Sequence, residues 1–79
     1  MPTIDLRLTG MNIKNIMHRA GFKTTDIQRA FGFSTPQAIY KWFRGDALPT
    51  VDNLVILAHL FDCTVDDLLV LSEVNSAVA

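Results

Sequence analysis

Seventy-nine residues amount to one small domain, too short to combine a recognition unit with a separate sensing or catalytic domain. An apolar share of 49% exceeds what so small a soluble monomer needs and hints at self-association, while the lone Cys63 excludes an internal disulfide and a cysteine-based zinc cluster and fits a reducing compartment. The net charge of −1 hides a division: residues 1–44 hold all seven Lys and Arg beside only Asp5 and Asp26, a balance of +5, whereas residues 45–79 hold six acidic residues and no Lys or Arg, a balance of −6.

From Thr3 to Leu8 the chain alternates, with Ile4, Leu6 and Leu8 on one side and Thr3, Asp5 and Arg7 on the other. This is the period of an extended arm or edge strand, which must pair or pack to be stable. Nothing there has the charged start and apolar core of a signal peptide, and a cytoplasmic location is expected. A first helix is expected from about Met11 to Ala20, capped by Thr9 and stopped by Gly21. Its apolar stripe is Ile13, Ile16, Met17 and Ala20, and its other face carries Asn12, Lys14, Asn15, His18 and Arg19.

The second helix starts at Thr24 or Thr25, buries Ile27, Ala30 and Phe31, and ends at Gly32, where positive φ is easiest without a β-carbon. The third has Thr35 as N-cap, Pro36 at its first position and Gly45 at its end. It sets Gln37, Tyr40, Lys41 and Arg44 against the apolar Ile39, Trp42 and Phe43. Two short amphipathic helices about a tight glycine turn have the form of a helix-turn-helix.

After a loop over Asp46 to Pro49, Thr50 caps a fourth helix whose Leu54, Leu57, Ala58 and Phe61 make it the main core helix. Apolar runs such as Leu54 to Leu57 fall far short of a membrane span. Asp62 stands where a left-handed residue should end that helix. Thr64 caps a fifth helix carrying Val65, Leu68, Leu69 and Leu71, with Asp66 and Asp67 near its positive end. The tail from Val74 to Ala79 has no stop signal and is expected to fray.

The set Ile27, Phe31-Gly32, Ile39, Lys41-Trp42, Arg44-Gly45, Leu48-Pro49, Asn53-Leu54, Leu57-Ala58, Phe61 and Val65 to Leu69 resembles the Cro and lambda-repressor-like helix-turn-helix family over about residues 10 to 72. The resemblance implies an all-α, compact five-helix DNA-binding domain with its helix-turn-helix at helices 2 and 3 and an extended N-terminal arm. It also implies a transcriptional regulator that binds a two-fold operator as a dimer. The expected division is an arm over 1–9, the DNA-binding domain over 10–72 and a tail over 73–79. Two positions depart from the family pattern. Gln28 stands where a small residue is usual, so that the crossing of the two helices is looser or Gln28 points outward. The turn, counted from Gly32 to Trp42, is one residue longer, with the extra residue at Phe33-Ser34.

In such a domain the first turn of the third helix reaches base edges, which makes Pro36, Gln37, Tyr40 and Lys41 the candidate base readers. The Gln37 amide can donate and accept at once against adenine, and the Pro36 ring can touch a thymine methyl. Tyr40 either bonds DNA or packs in the core. Candidate phosphate contacts are Lys23, Thr24 and Thr25 at the start of the second helix, Thr35 and Arg44 on the third, and Asn12 and Lys14 on the first, with Arg7 in the arm. Thr24 can also serve as the cap of its helix.

Trp42 shares a face with Ile39 and is expected in the core instead of stacking on a base. Cys63 is expected to act as a small buried hydrophobe. His18 and His59 lie on different helices with no third ligand, so no metal, cofactor, small-molecule site or enzyme activity is expected. The expected partners are duplex DNA and a second copy of the chain, joined either at the C-terminal part, through Leu69, Leu71 and Val74, or at the N-terminal arm. The alternative function is a protein-interaction module that keeps the fold without reading DNA.

Overall fold

The computed structural model describes residues 1–73, so that the expectations for the tail from Val74 onward, including Val74 as part of a seam, lie outside the described residues. In chain order it contains β1 (Pro2–Ile4), α1 (Leu6–Arg19), α2 (Thr24–Phe31), α3 (Gln37–Arg44), α4 (Val51–Leu60), α5 (Val65–Leu68) and β2 (Leu71–Glu73). The five-helix architecture is the expected one. Its addition is a two-stranded antiparallel sheet in which Pro2, Thr3 and Ile4 face Glu73, Ser72 and Leu71.

The core follows the helical periodicities. Ile13, Met17, Ile27, Ile39, Trp42, Leu54, Leu57, Ala58, Phe61 and Leu68 are all buried. Thr50 caps α4 by accepting the Asn53 N–H, and Thr64 caps α5 by accepting the Asp67 N–H while the Asp67 carboxylate accepts the Thr64 N–H. The left-handed positions lie where glycine and short polar side chains put them, at Gly21, Gly32, Gly45 and Asp62.

Several boundaries differ from the sequence expectation, each for a physical reason. The first helix starts five residues earlier, at Leu6, because the Asp5 carboxylate accepts the Leu8 N–H at 2.8 Å and serves as its cap. Thr9 is therefore a buried residue within α1. Its hydroxyl accepts the Val70 N–H at 2.9 Å and so ties α1 to the segment leading into β2. The fifth helix stops at Leu68, because Leu69 turns extended and the Val70 carbonyl accepts from Asp5; Leu71 belongs to β2.

The third helix starts at Gln37, with Pro36 as its cap and Thr35 outside it. The Pro36 carbonyl is the first to enter the ladder, accepting from the Tyr40 N–H at 3.1 Å. Ala20 and Ala30 are exposed, the first as the residue that ends α1 and the second because α2 rests on the narrow Ile27 and Phe31 edge.

Helix α3 packs chiefly on α1. The approach is backbone to backbone at Gly10, where a β-carbon would overlap the Trp42 carbonyl oxygen and lie 2.7 Å from that of Phe43. At the other side of the same contact, a β-carbon on Gly45 would lie 2.7 Å from the Arg7 Cα. Glycine at these two points lets α1 carry the C-terminal half of α3.

Candidate nucleic-acid interface

On α3, Ile39 and Trp42 point into the core while Gln37, Tyr40, Lys41 and Arg44 are exposed. The exposed four recur at three and four residues, so they share one face of the helix. Tyr40 is 41% exposed and its ring meets Phe43 edge-on at 6.4 Å, while Trp42 is 5% exposed. Of the two readings of Tyr40 the surface one therefore holds, and Trp42 lies in the core as expected. Pro36 is half-buried at the head of the stripe.

The longer turn is filled, not slack. Phe33 packs edge-on against Phe31 at 5.3 Å and Trp42 at 6.1 Å, and Phe31 meets Trp42 at 5.7 Å. The Phe33 N–H donates to the Gln28 carbonyl at 3.0 Å, and the Gln28 side-chain amide donates to the Phe33 carbonyl at 3.3 Å. Gln28 is half-buried and clamps the turn, which is neither of the two roles its size suggested.

At the start of α2, the cap is Lys23 and Thr24 is the first helical residue. The Asp26 carboxylate accepts the Lys23 N–H at 2.7 Å, so it takes one of the free amides at the positive end of the helix. Lys23 and Thr25 are exposed and Thr24 is half-buried. Beside them Thr25, Gln28, Arg29 and Phe33 line a shallow open cleft. Arg29, exposed four residues after Thr25 on the same helical face, lies 3.8 Å from the Asp26 carboxylate.

On α1, the Lys14 Nζ lies 5.8 Å from the centre of the Phe43 ring of α3. Asn12, half-buried on α1, donates its amide to the carbonyls of Asp67 at 2.8 Å and Leu68 at 3.0 Å, closing the end of α5. Arg44 is exposed but engaged, its Nε 2.9 Å from the Asp46 carboxylate. Thr35 is exposed in the bend before α3, and Arg7 is exposed in the first turn of α1.

His18 and His59 are exposed on α1 and α4. Burial raises the Cys63 thiol above its ordinary value, with the Asp67 and Asp62 charges adding to the shift, so it stays protonated at neutral pH. Among the described residues no helix is long and apolar enough to cross a membrane. A family model described as Helix-turn-helix matches residues 13–68 of the chain. The comparisons with curated proteins and with solved structures found no match.

Proposed function

Since the chain belongs to the Cro and lambda-repressor-like helix-turn-helix family of DNA-binding domains, we propose that it is a small cytoplasmic transcriptional regulator, repressor-like, that binds a specific duplex operator as a homodimer. The observation that carries this reading is the exposed α3 stripe of Gln37, Tyr40, Lys41 and Arg44, backed by a helix side that is fully apolar. Gln37, at the first turn, is the base reader, with Pro36, Tyr40 and Lys41 beside it. Arg44, Lys14, Lys23, Thr24, Thr25, Thr35 and Arg29 hold phosphates around it. The segregation of charge supports the same orientation, with the basic part of the chain toward DNA and the acidic part away.

Selection of a preferred duplex from a random pool tests the reading. Gln37→Ala should then weaken the selected duplex by about 1–3 kcal/mol and leave scrambled DNA nearly unaffected. An equal loss on both would remove Gln37 as a base reader. A second reading draws on α4, where Val51, Val55 and Ile56 are exposed at 74%, 55% and 43%. An apolar outer face of this kind suits a protein partner, and a folded chain with no affinity for any duplex would favour it.

A further inference from the structure

We propose that Gln28 aims α3 at its bases: by locking the turn at Phe33 it fixes the head of that helix relative to α2, and so determines which duplex the chain prefers. The inference rests on the DNA-reading function above and gives a part in it to a residue outside the base-reading set.

The two ends of α3 are held differently. Its C-terminal half lies against α1, where Gly10 meets the Trp42 and Phe43 carbonyls and Gly45 meets Arg7. Its head, at Pro36 and Gln37, has no side-chain cap, and Ser34 and Thr35 before it are exposed. What fixes that end is the turn behind it. There the Phe33 ring meets Phe31 of α2 at 5.3 Å and Trp42 of α3 at 6.1 Å, so one side chain joins the turn to both helices.

Two hydrogen bonds keep Phe33 in place. Its N–H donates to the Gln28 carbonyl at 3.0 Å, as in an ordinary glycine stop. Its carbonyl accepts from the Gln28 side-chain amide at 3.3 Å, a bond that needs a long side chain ending in an N–H donor. The larger residue at 28 and the longer turn, which depart from the family pattern separately, are thus one device: the amide of the first holds the residue added by the second.

Leverage makes this lock matter for reading. The eight residues of α3 span about 12 Å, so a tilt of about 10° on the α1 contact carries its head by about 1–2 Å. A binding group must be held within about 0.5 Å of its productive place. Phosphate contacts set where a protein sits on the duplex, and base contacts specify the sequence. Lys23, Thr24, Thr25 and Arg29 lie at the cap and on the helix that carries Gln28, whereas Pro36, Gln37, Tyr40 and Lys41 follow the turn that Gln28 holds. Gln28 is therefore a positioning residue that ties the two sets together. Without its amide both sets remain, but their relative placement loosens.

Gln28→Met keeps length and bulk and lacks the donor. Wild type and variant are titrated, across a salt series, with the duplex selected for the wild type and with a scrambled duplex of equal length. The ratio of the two affinities should fall about fivefold in the variant, the share of one neutral hydrogen bond. Affinity for scrambled DNA and the salt slope should stay as in wild type, because no phosphate contact is lost. In a Gln37→Ala background, Gln28→Met should add little further loss, since it acts through that residue. Without DNA, amide exchange should quicken about fivefold at Tyr40, which donates to the Pro36 carbonyl, and stay unchanged at Leu54 in α4. Should Gln28→Met not fold, Gln28→Ala replaces it. A folded variant that discriminates as the wild type does, equal loss on both duplexes, losses that add to those of Gln37→Ala, or unchanged exchange at Tyr40 would each overturn the proposal. A wild type with no preference between duplexes would remove the sequence-reading function itself, and this role with it, and is seen before any variant is made.

Discussion

A β-carbon at position 10 has no room between α1 and the Trp42 and Phe43 carbonyls, which a rigid helix cannot move aside. Gly10→Ala should therefore cost about 3 kcal/mol, the upper end of overpacking, and thermal denaturation should show a clear fall in Tm. An unchanged Tm would mean that α1 and α3 are further apart than described. Nothing local marks Gly10 for this part, since its constraint comes from a helix thirty residues on. Trp42 and Ile39 were legible because their spacing alone puts them on one face, and Asp62 because a helix must end there. Arg44 illustrates a third situation, in which a residue type points to DNA but its resting partner is Asp46 at 2.9 Å. Asp46→Ala should tighten DNA binding a few-fold, since an exposed ion pair holds only about 0–1 kcal/mol and its carboxylate also repels phosphate. Weaker binding in an anisotropy titration would instead make Asp46 a residue that orients Arg44.

Element ends show how far local grammar reaches. Thr50, Thr64 and the glycine stops were legible because each is satisfied within three or four residues of itself. Thr9 looked like a cap and is not one, because Val70, sixty-one residues away, claims its hydroxyl and leaves the capping to Asp5. The same long-range contact shortens α5 and makes β2, neither of which any helical period announces. Asp5 and Asp67 carry these ends. The Leu8 N–H, with help from Ser72 and Arg7, holds the Asp5 carboxyl below its ordinary value despite partial desolvation, and Thr64 does the same for Asp67. Because both values are lower in the folded chain, the unfolded chain takes up protons first as pH falls. The stabilisation is complete above the unfolded value of 3.8 and is lost as pH drops through the folded values. Helical circular dichroism should therefore hold from neutrality to about pH 4 and melting temperatures should fall below it, with a shallower fall in Asp5→Asn and Asp67→Asn. Equal acid sensitivity in all three proteins would show that these caps do not govern the transition.

For the whole molecule, the charge division acquires a spatial meaning. α1 and α3, packed backbone to backbone, bring Lys14 beside Phe43, and α3 exposes Lys41 and Arg44, whereas α4, α5 and β2 carry acidic residues and no Lys or Arg. The family match over 13–68 agrees with this body of helices, while the paired strands lie outside the matched span. The pairing of β1 with β2 was not legible in the chain, because it joins segments about seventy residues apart.

The central claim is that the outward stripe of α3 binds duplex DNA, and fluorescence anisotropy with duplex DNA across a salt series tests it most directly. The wild type should lose affinity steeply as salt rises, and Lys41→Ala/Arg44→Ala should bind more weakly, with a salt slope reduced by about two. A folded wild type that shows no binding at low salt, or a double variant with the wild-type slope and affinity, would contradict the account.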